Sequence, residues 1–341
     1  MTDGTTGQAE GEAEAYPFEF TGSAAEYFRI WIISLCLSLF TLGIYSAWGK
    51  VRKRRYLYAH MRVAGSGFEY LASPLAILKG RVIALALFGG IAVAGHFSPI
   101  AQLAFILLLL LLLPWLVVAT ARFNARNSAW RSIRFAFDGR VGEAARVLLG
   151  LGLLAGLTLG ILFPYSRMRR ARFIVGLHRF GATGFATSFK SGPFYGAYLA
   201  ALGMLIVVSI VVVGGGMLMK SATAAIVMIA ATYTCYIAVF AYVRARTGNI
   251  TFNGTSVGPL QLASTLRWRD MAWIYLSNIV AILATVGLAT AWATIRITRY
   301  RAARLAVVAR APIGTLVAAE GGNASAAGSE VSDLFDVDVS L

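Results

Sequence analysis

The stretch "TLGIYSAWGKVRKRRY", residues 41–56, runs from apolar sequence straight into a cluster of cations. It is echoed as "TLGILFPYSRMRRARF" at 158–173 and as "TVGLATAWATIRITRY" at 285–300. Thr41, Gly43, Arg52 and Arg55 align with Thr158, Gly160, Arg169 and Arg172, and again with Thr285, Gly287, Arg296 and Arg299. The same alignment groups Glu26, Glu143 and Asp270 at the start of each apolar run. It also sets Trp48, Tyr165 and Trp292 where amphipathic rings favour a membrane interface. Recurrence inside one chain is read as an internal repeat, with copies near 18–62, 135–179 and 250–305.

Upstream of each run stands a short strand-like signature, "FEFTG" at 18–22, "FAFDG" at 135–139 and "ITFNG" at 250–254. The third lies about twelve residues too far from its acid. Alternating apolar positions suit half-buried strands, and "GSGFEY" at 65–70 and "GATGFATSF" at 181–189 are candidate partners. A small cytoplasmic β-layer is therefore an optional addition to an otherwise helical protein.

Composition sets the class. Hydrophobic residues make up 58%, charged residues 13%, and mean hydropathy is +0.70. Soluble domains are nearer half apolar and a quarter charged, so a polytopic membrane protein is expected. All 31 Lys and Arg lie within 27–310, beside only Glu69, Asp138, Glu143 and Asp270. We expect one membrane domain, 18–310, between acidic tails at 1–17 and 311–341 whose composition reads as disordered. No basic n-region or cleavage site precedes the first run, so no cleaved signal peptide is expected. Arginines bordering membrane runs point to anionic lipid headgroups and away from nucleic acid; self-association is left open.

Seven apolar runs stand out, near 27–48, 75–95, 100–121, 144–165, 194–219, 222–243 and 271–292. The second and third form one membrane hairpin and the fifth and sixth another. If all seven cross, 17 basic loop residues fall on one side and ten on the other. If runs one, four and seven re-enter, 26 share one face and only Lys220 is opposite, as the positive-inside bias demands. Glycine at Gly43, Gly160 and Gly287 would supply the bend. The expected fold is thus an all-α polytopic membrane protein with two transmembrane hairpins and three repeated apolar units, re-entrant or spanning. The Arg-x-x-Arg pairs are expected to form ion pairs with the acids, and the three bends to share a polar site.

Chemistry is sparse. His60, His96 and His178 show no metal-ligand spacing with Cys36, Cys235 or any acid. No cofactor or nucleophile motif occurs, so no enzyme, metal or cofactor is expected. Asn278, Gln102 and "TYTCY" at 232–236 are polar groups inside apolar runs, where permeation sites are built. Lys79 and Arg81 are read as snorkelling to the interface. A transporter or channel-like protein is the leading expectation, with a lipid-binding or envelope-assembly scaffold as the alternative.

The segment "FTGSAAEYFRIWIISLCLSLFTLGIYSAWGKVRKRRYLYAHMRVAGSGFEY" at 20–70 resembles the opening motif of the YjgN-like family of bacterial inner-membrane proteins. "ARFNARNSAWRSIRFAFDG" at 121–139 resembles that family's internal block. The resemblance covers about 18–305 and implies a multi-pass inner-membrane location with no established activity. Ser34 stands where that motif commonly has Asn, and Asn278 holds the matching position of the third copy.

Overall fold

In a computed structural model of the chain, which describes residues 14–218, 221–310, 312–315 and 317–320, helical hairpins alternate with β-hairpins. The first helical hairpin is α1 (Ala24–Phe40) with α2 (Ser46–Ala59), and the second is α3 (Pro74–Phe97) with α4 (Pro99–Arg126). In the third, α5 (Val141–Ala145), a π-helical turn (Arg146–Gly150) and α6 (Leu151–Leu157) pair with α7 (Phe163–Gly176). The last two are α8 (Ser191–Leu218) with α9 (Ala222–Asn253), and α10 (Trp268–Ala284) with α11 (Thr290–Ala302).

Between them run β2 (Met61–Val63) and β3 (Ser66–Tyr70), β4 (Ser128–Trp130) and β5 (Ile133–Phe137), and β6 (His178–Phe180) and β7 (Thr183–Thr187). The series ends with β8 (Thr255–Val257), β9 (Leu260–Ser264) and β10 (Leu305–Ala309), while β1 (Glu14–Phe20) opens the chain. All ten strands pair antiparallel in sequence order, and β1 pairs with both β10 and β2, so the sheet closes into a barrel. The all-α expectation is overturned: a complete ten-stranded barrel lies beneath the helices.

The barrel strands place their large apolar residues inward, and where charged side chains occur on them they point outward. Val63, Trp130, Ile133, Phe180, Val257, Leu260 and Val307 form the buried lumen core, while Glu19, Arg62, Glu69, Arg134 and Gln261 are exposed. A barrel inside lipid would carry the opposite pattern, so this one stands in water. Two of its hairpin turns have both central residues at positive φ, Ala64 (48°) with Gly65 (74°) and Arg131 (49°) with Ser132 (66°), the twist that tight two-residue connections require.

The short hairpins explain the opening motif. Each first limb ends in a Schellman turn. Gly43, Gly160 and Gly287 each donate their N–H over six residues, to Ser38, Ala155 and Ile282, at 2.7 Å. The residue before each glycine, Leu42, Leu159 or Val286, adopts φ near 50° and is 93–96% exposed. A β-branched residue in that conformation is unusual, and its exposure puts an apolar side chain at the extreme tip. Thr41, Thr158 and Thr285 close each turn from within, donating to the carbonyls of Leu37, Leu154 and Ala281 and accepting the N–H of Tyr45, Leu162 and Ala289.

Runs one, four and seven therefore turn back and return to the barrel. Their limbs of 13–17 residues rise only about 20–26 Å, short of a hydrocarbon core of about 30 Å. By contrast α3, α4, α8 and α9 are long and apolar enough to cross a membrane, and protein covers little of their surface.

Three local expectations change. "ITFNG" at 250–254 is the helical end of α9 and the glycine after it, and the strand belonging there is β9. Glu26, Glu143 and Asp270 then each lie six residues beyond a long strand, and the twelve-residue irregularity disappears. Residues 14–17, assigned to a tail, are in β1. Part of the acidic tail placed at 311–341 also folds: Ile313 is buried in the lumen, and the buried Glu320 carboxylate accepts from the Ala182 N–H (2.5 Å) and the Thr183 hydroxyl. Residues 1–13 and 321–341 lie outside the described residues.

This arrangement sets a topology test. In a background lacking Cys36 and Cys235, Ala186→Cys on the barrel exterior should react with an impermeant maleimide only after cell disruption. Ser221→Cys, between α8 and α9, should react on intact spheroplasts. Labelling of both from one face would overturn the arrangement.

Candidate functional site

Six residues before the strand that follows each helical hairpin, a polar side chain latches the helix end to the chain leaving another strand. Arg55 donates to the carbonyl of Ala72 (3.4 Å), Arg122 to Gly139 (2.8 Å) and Arg172 to Phe189 (2.6 Å). Asn249 donates to Leu266 (2.9 Å) and Arg299 to Gly22 (2.9 Å). Every acceptor lies two residues past its strand, so one latch occurs five times around the barrel. The fifth joins residues 277 apart, closing the gap between the two ends of the folded domain.

The second arginine of each expected pair, Arg55, Arg172 and Arg299, is thus a backbone latch. No carboxylate lies within 4.0 Å of it among the described residues. The first arginine has other partners: Arg52 donates to the Tyr45 hydroxyl (3.2 Å), and Arg296 to Ser277 (2.6 Å) and Asn278 (3.2 Å). Among the described residues, the side chains of Arg169 and Glu143 make no hydrogen bond or ion pair.

The other acids are held by aromatic hydroxyls. Tyr56 donates to Glu26 (2.8 Å) and Tyr300 to Asp270 (3.2 Å), while Arg304 pairs with Asp270 at 3.3 Å. Tyr56 also accepts the N–H of Ser23, and Tyr300 that of Arg267. The phenols therefore pin the start of these two hairpins to their ends. Burial first, and then the neighbouring carboxylate, raises both phenol pKa values and keeps them donors. The middle hairpin has Phe173 at this position and cannot form the bond.

Ser34 and Asn278 are both buried at the crossing within a hairpin. A Cβ on Gly49 would stand 2.8 Å from that of Ser34, and Asn278 reaches the Ala293 carbonyl at 3.4 Å. The bends themselves point outward: a side chain at Gly43, Gly160 or Gly287 would meet nothing within 4 Å. No hydrogen bond among the described residues joins one bend to another.

The concave features lie elsewhere. Five cross-strand pairs of the same register meet in the lumen: Phe18–Val63, Phe68–Trp130, Phe135–Phe180, Phe185–Val257 and Leu262–Val307. These ten side chains form one apolar layer around a cavity of about 210 Å³, whose far end is met by Ile313. Aromatic contacts run around it, including Phe135–Phe180 with centroids 5.3 Å apart and Trp130–Phe180 at 5.8 Å.

Above the layer, towards the helices, a second cavity of about 410 Å³ shares Phe18, Phe68, Phe135 and Leu262 with the first. Leu57, Tyr58, Phe252 and Thr298, at the ends of α2, α9 and α11, form its roof. The two apolar spaces thus follow one another from the helix ends into the barrel, with four side chains common to both linings. Neither the layer nor the five latches was identified from sequence; the two-residue alternation ending each long strand was the signal available.

A third space does unite expected residues. Asn278 and the tyrosines of "TYTCY", Tyr233 and Tyr236, line a crevice of about 490 Å³ with Tyr275, Thr290 and Thr294. Gln102 packs instead against Gly95 at the tip of the α3–α4 hairpin.

His178 sits in the barrel between Phe137 (5.0 Å) and Phe185 (6.2 Å), with Nδ1 on the Ile174 carbonyl at 2.5 Å. Burial pushes its pKa below the usual 6.5. The folded state therefore holds fewer protons, and stability present above pH 6.5 is lost as pH falls through the folded pKa. Thermal unfolding in detergent should show this loss below pH 6.5, and His178→Phe should flatten the profile; an unchanged slope in the variant would refute the assignment. Arg122→Met should cost about 1.5–3 kcal/mol, the value of a charge-assisted hydrogen bond, seen as a lowered Tm. Wild-type Tm in that variant would mean that Gly139 needs no latch.

The sequence matches the family described as "Bacterial protein of unknown function (DUF898)" over residues 15–334. It is 29% identical over 163 residues to the inner membrane protein YjgN of Escherichia coli K12, and 27% identical over 158 residues to that of strain O157:H7. Each alignment covers 46% of this chain and 40% of the relative. The corresponding protein of Salmonella typhimurium LT2 is 26% identical over 136 residues, covering 40% of this chain and 34% of the relative. The matches thus span well under two thirds of these relatives' length. No solved structure matches. With four apolar spanning helices and relatives of the inner membrane, this chain is a multi-pass bacterial inner-membrane protein and belongs to the DUF898 family.

Proposed function

We propose that this protein binds the hydrocarbon part of a membrane lipid along the axis of its barrel. The observation that carries the reading is the pair of apolar cavities, one under the helix ends and one within the ten-residue layer, that share Phe18, Phe68, Phe135 and Leu262. A chamber of about 410 Å³ is within the usual range for ligand pockets, and its apolar lining offers little to a hydrated solute. Lipid-binding fits the surroundings: the short hairpins end in exposed leucine and valine and return to arginine-rich helix ends. Their matching turns support treating them as copies of one internal repeat that delivers the bilayer to the barrel mouth.

Photolabelling tests the reading. Purified protein in nanodiscs containing a diazirine-bearing phospholipid should yield adducts on Phe68, Phe135 or Leu262, mapped by mass spectrometry. Adducts confined to lipid-facing positions such as Val82 and Leu107 would refute it.

Passage of a solute is the second reading, favoured by the layer itself, since an apolar constriction can gate by excluding water. Under that reading Phe68→Asn with Phe135→Asn should make proteoliposomes leaky to a small dye. Tight vesicles would leave the lipid reading alone.

A further inference from the structure

A second feature, separate from the barrel axis, concerns charge. Ser46, Lys50, Lys53 and Arg54 follow one another along α2 at spacings of four, seven and eight residues, which puts them on one stripe. Arg81 of α3 meets this stripe, donating from Nη1 to the Ser46 hydroxyl. The charges of Arg54 and Arg81 both act on Lys50, and that of Arg81 acts on Lys53. Arg54 donates to neutral partners, the Tyr70 hydroxyl (3.0 Å) and the Asn124 amide oxygen (2.7 Å).

Four cations thus converge between a returning hairpin and a spanning helix. Among the described residues, no carboxylate lies within 4.0 Å of any of them. Like charges on adjacent turns repel, and the repulsion grows as water is excluded. Arg81 lies seven residues into an apolar helix, about 10 Å along its axis, a depth at which an ionisable side chain needs a stated partner.

We propose that the groove between α2 and α3 is a binding site for a phosphate-bearing anion, supplied by the headgroup of an anionic phospholipid. Arg54 and Arg81 provide planar forks suited to phosphate oxygens, and Lys50 and Lys53 provide point charges on the same face. The site does not depend on the barrel cavity, so either proposal can fail alone.

The test compares full-length protein in nanodiscs of phosphatidylglycerol or phosphatidylcholine, with native mass spectrometry counting retained lipids. Wild type should melt several degrees higher in phosphatidylglycerol and retain an anionic lipid after detergent release. Lys50→Gln with Arg81→Gln should lose most of both effects, whereas Arg62→Gln with Arg134→Gln, which removes equal charge from the barrel exterior, should keep them. Full retention by the first pair would overturn the site. If that pair does not fold, Lys53→Gln is read instead by lipid count, and an undiminished count overturns the proposal. Millimolar inorganic phosphate giving the same protection in phosphatidylcholine would assign the groove to a free anion and overturn the lipid source.

Discussion

Ten strands of three to seven residues cannot hold one another in pairs, because an isolated two-stranded ribbon is marginal in water. Here each ribbon's edge is the next ribbon's partner, and the series ends only because β1 reaches β10. Closure removes every unpaired row of backbone donors and acceptors and turns ten short alternations into one apolar interior. The helices are then held by their roots: each hairpin leaves the barrel from one strand and returns to it through the next. The five latches fix that junction with a side chain reaching a backbone carbonyl, the kind of buried group that must find a partner.

The membrane half of this architecture was open to reading from composition and charge. The two spanning hairpins follow from where apolar runs end and arginines begin, whereas the three repeated runs could be read as re-entrant or as spanning until the structure showed them turning back. The barrel was hidden for physical reasons. Four of its strands have only three residues, too few for alternation to stand out. One of its hairpin turns is Arg131–Ser132, a pair that no turn preference would select, although Ala64–Gly65 and the glycines at 181 and 258 were fairer signs.

Site residues divide in the same way. The recurrence of Arg55, Arg172 and Arg299 was visible and structurally meaningful, but its partner was misread: an arginine beside a repeated acid suggests an ion pair, and a carbonyl leaves no trace in sequence. The remaining two latches, Arg122 and Asn249, sit on the long spanning hairpins, outside the threefold pattern. One is not even the same residue type. Asn278 and the tyrosines near 233 came together in one crevice because helices α9 and α10 pack side by side, a pairing that neither residue announces.

Pairing of the first strand with the last also fixes an order of assembly. Roughly 285 residues separate Phe20 from Leu305, which at bacterial elongation rates is on the order of 15–60 s of translation. All four spanning helices emerge from the ribosome in that interval and can be inserted one hairpin at a time. The barrel cannot close until β10 has been made, and until then β1 has β2 on one side and a bare edge on the other. Helices inserted in that interval gather the strands into one small volume, which lowers the entropy lost when they finally join. A chain cut before residue 305 would lack the one strand that joins β1 to β9.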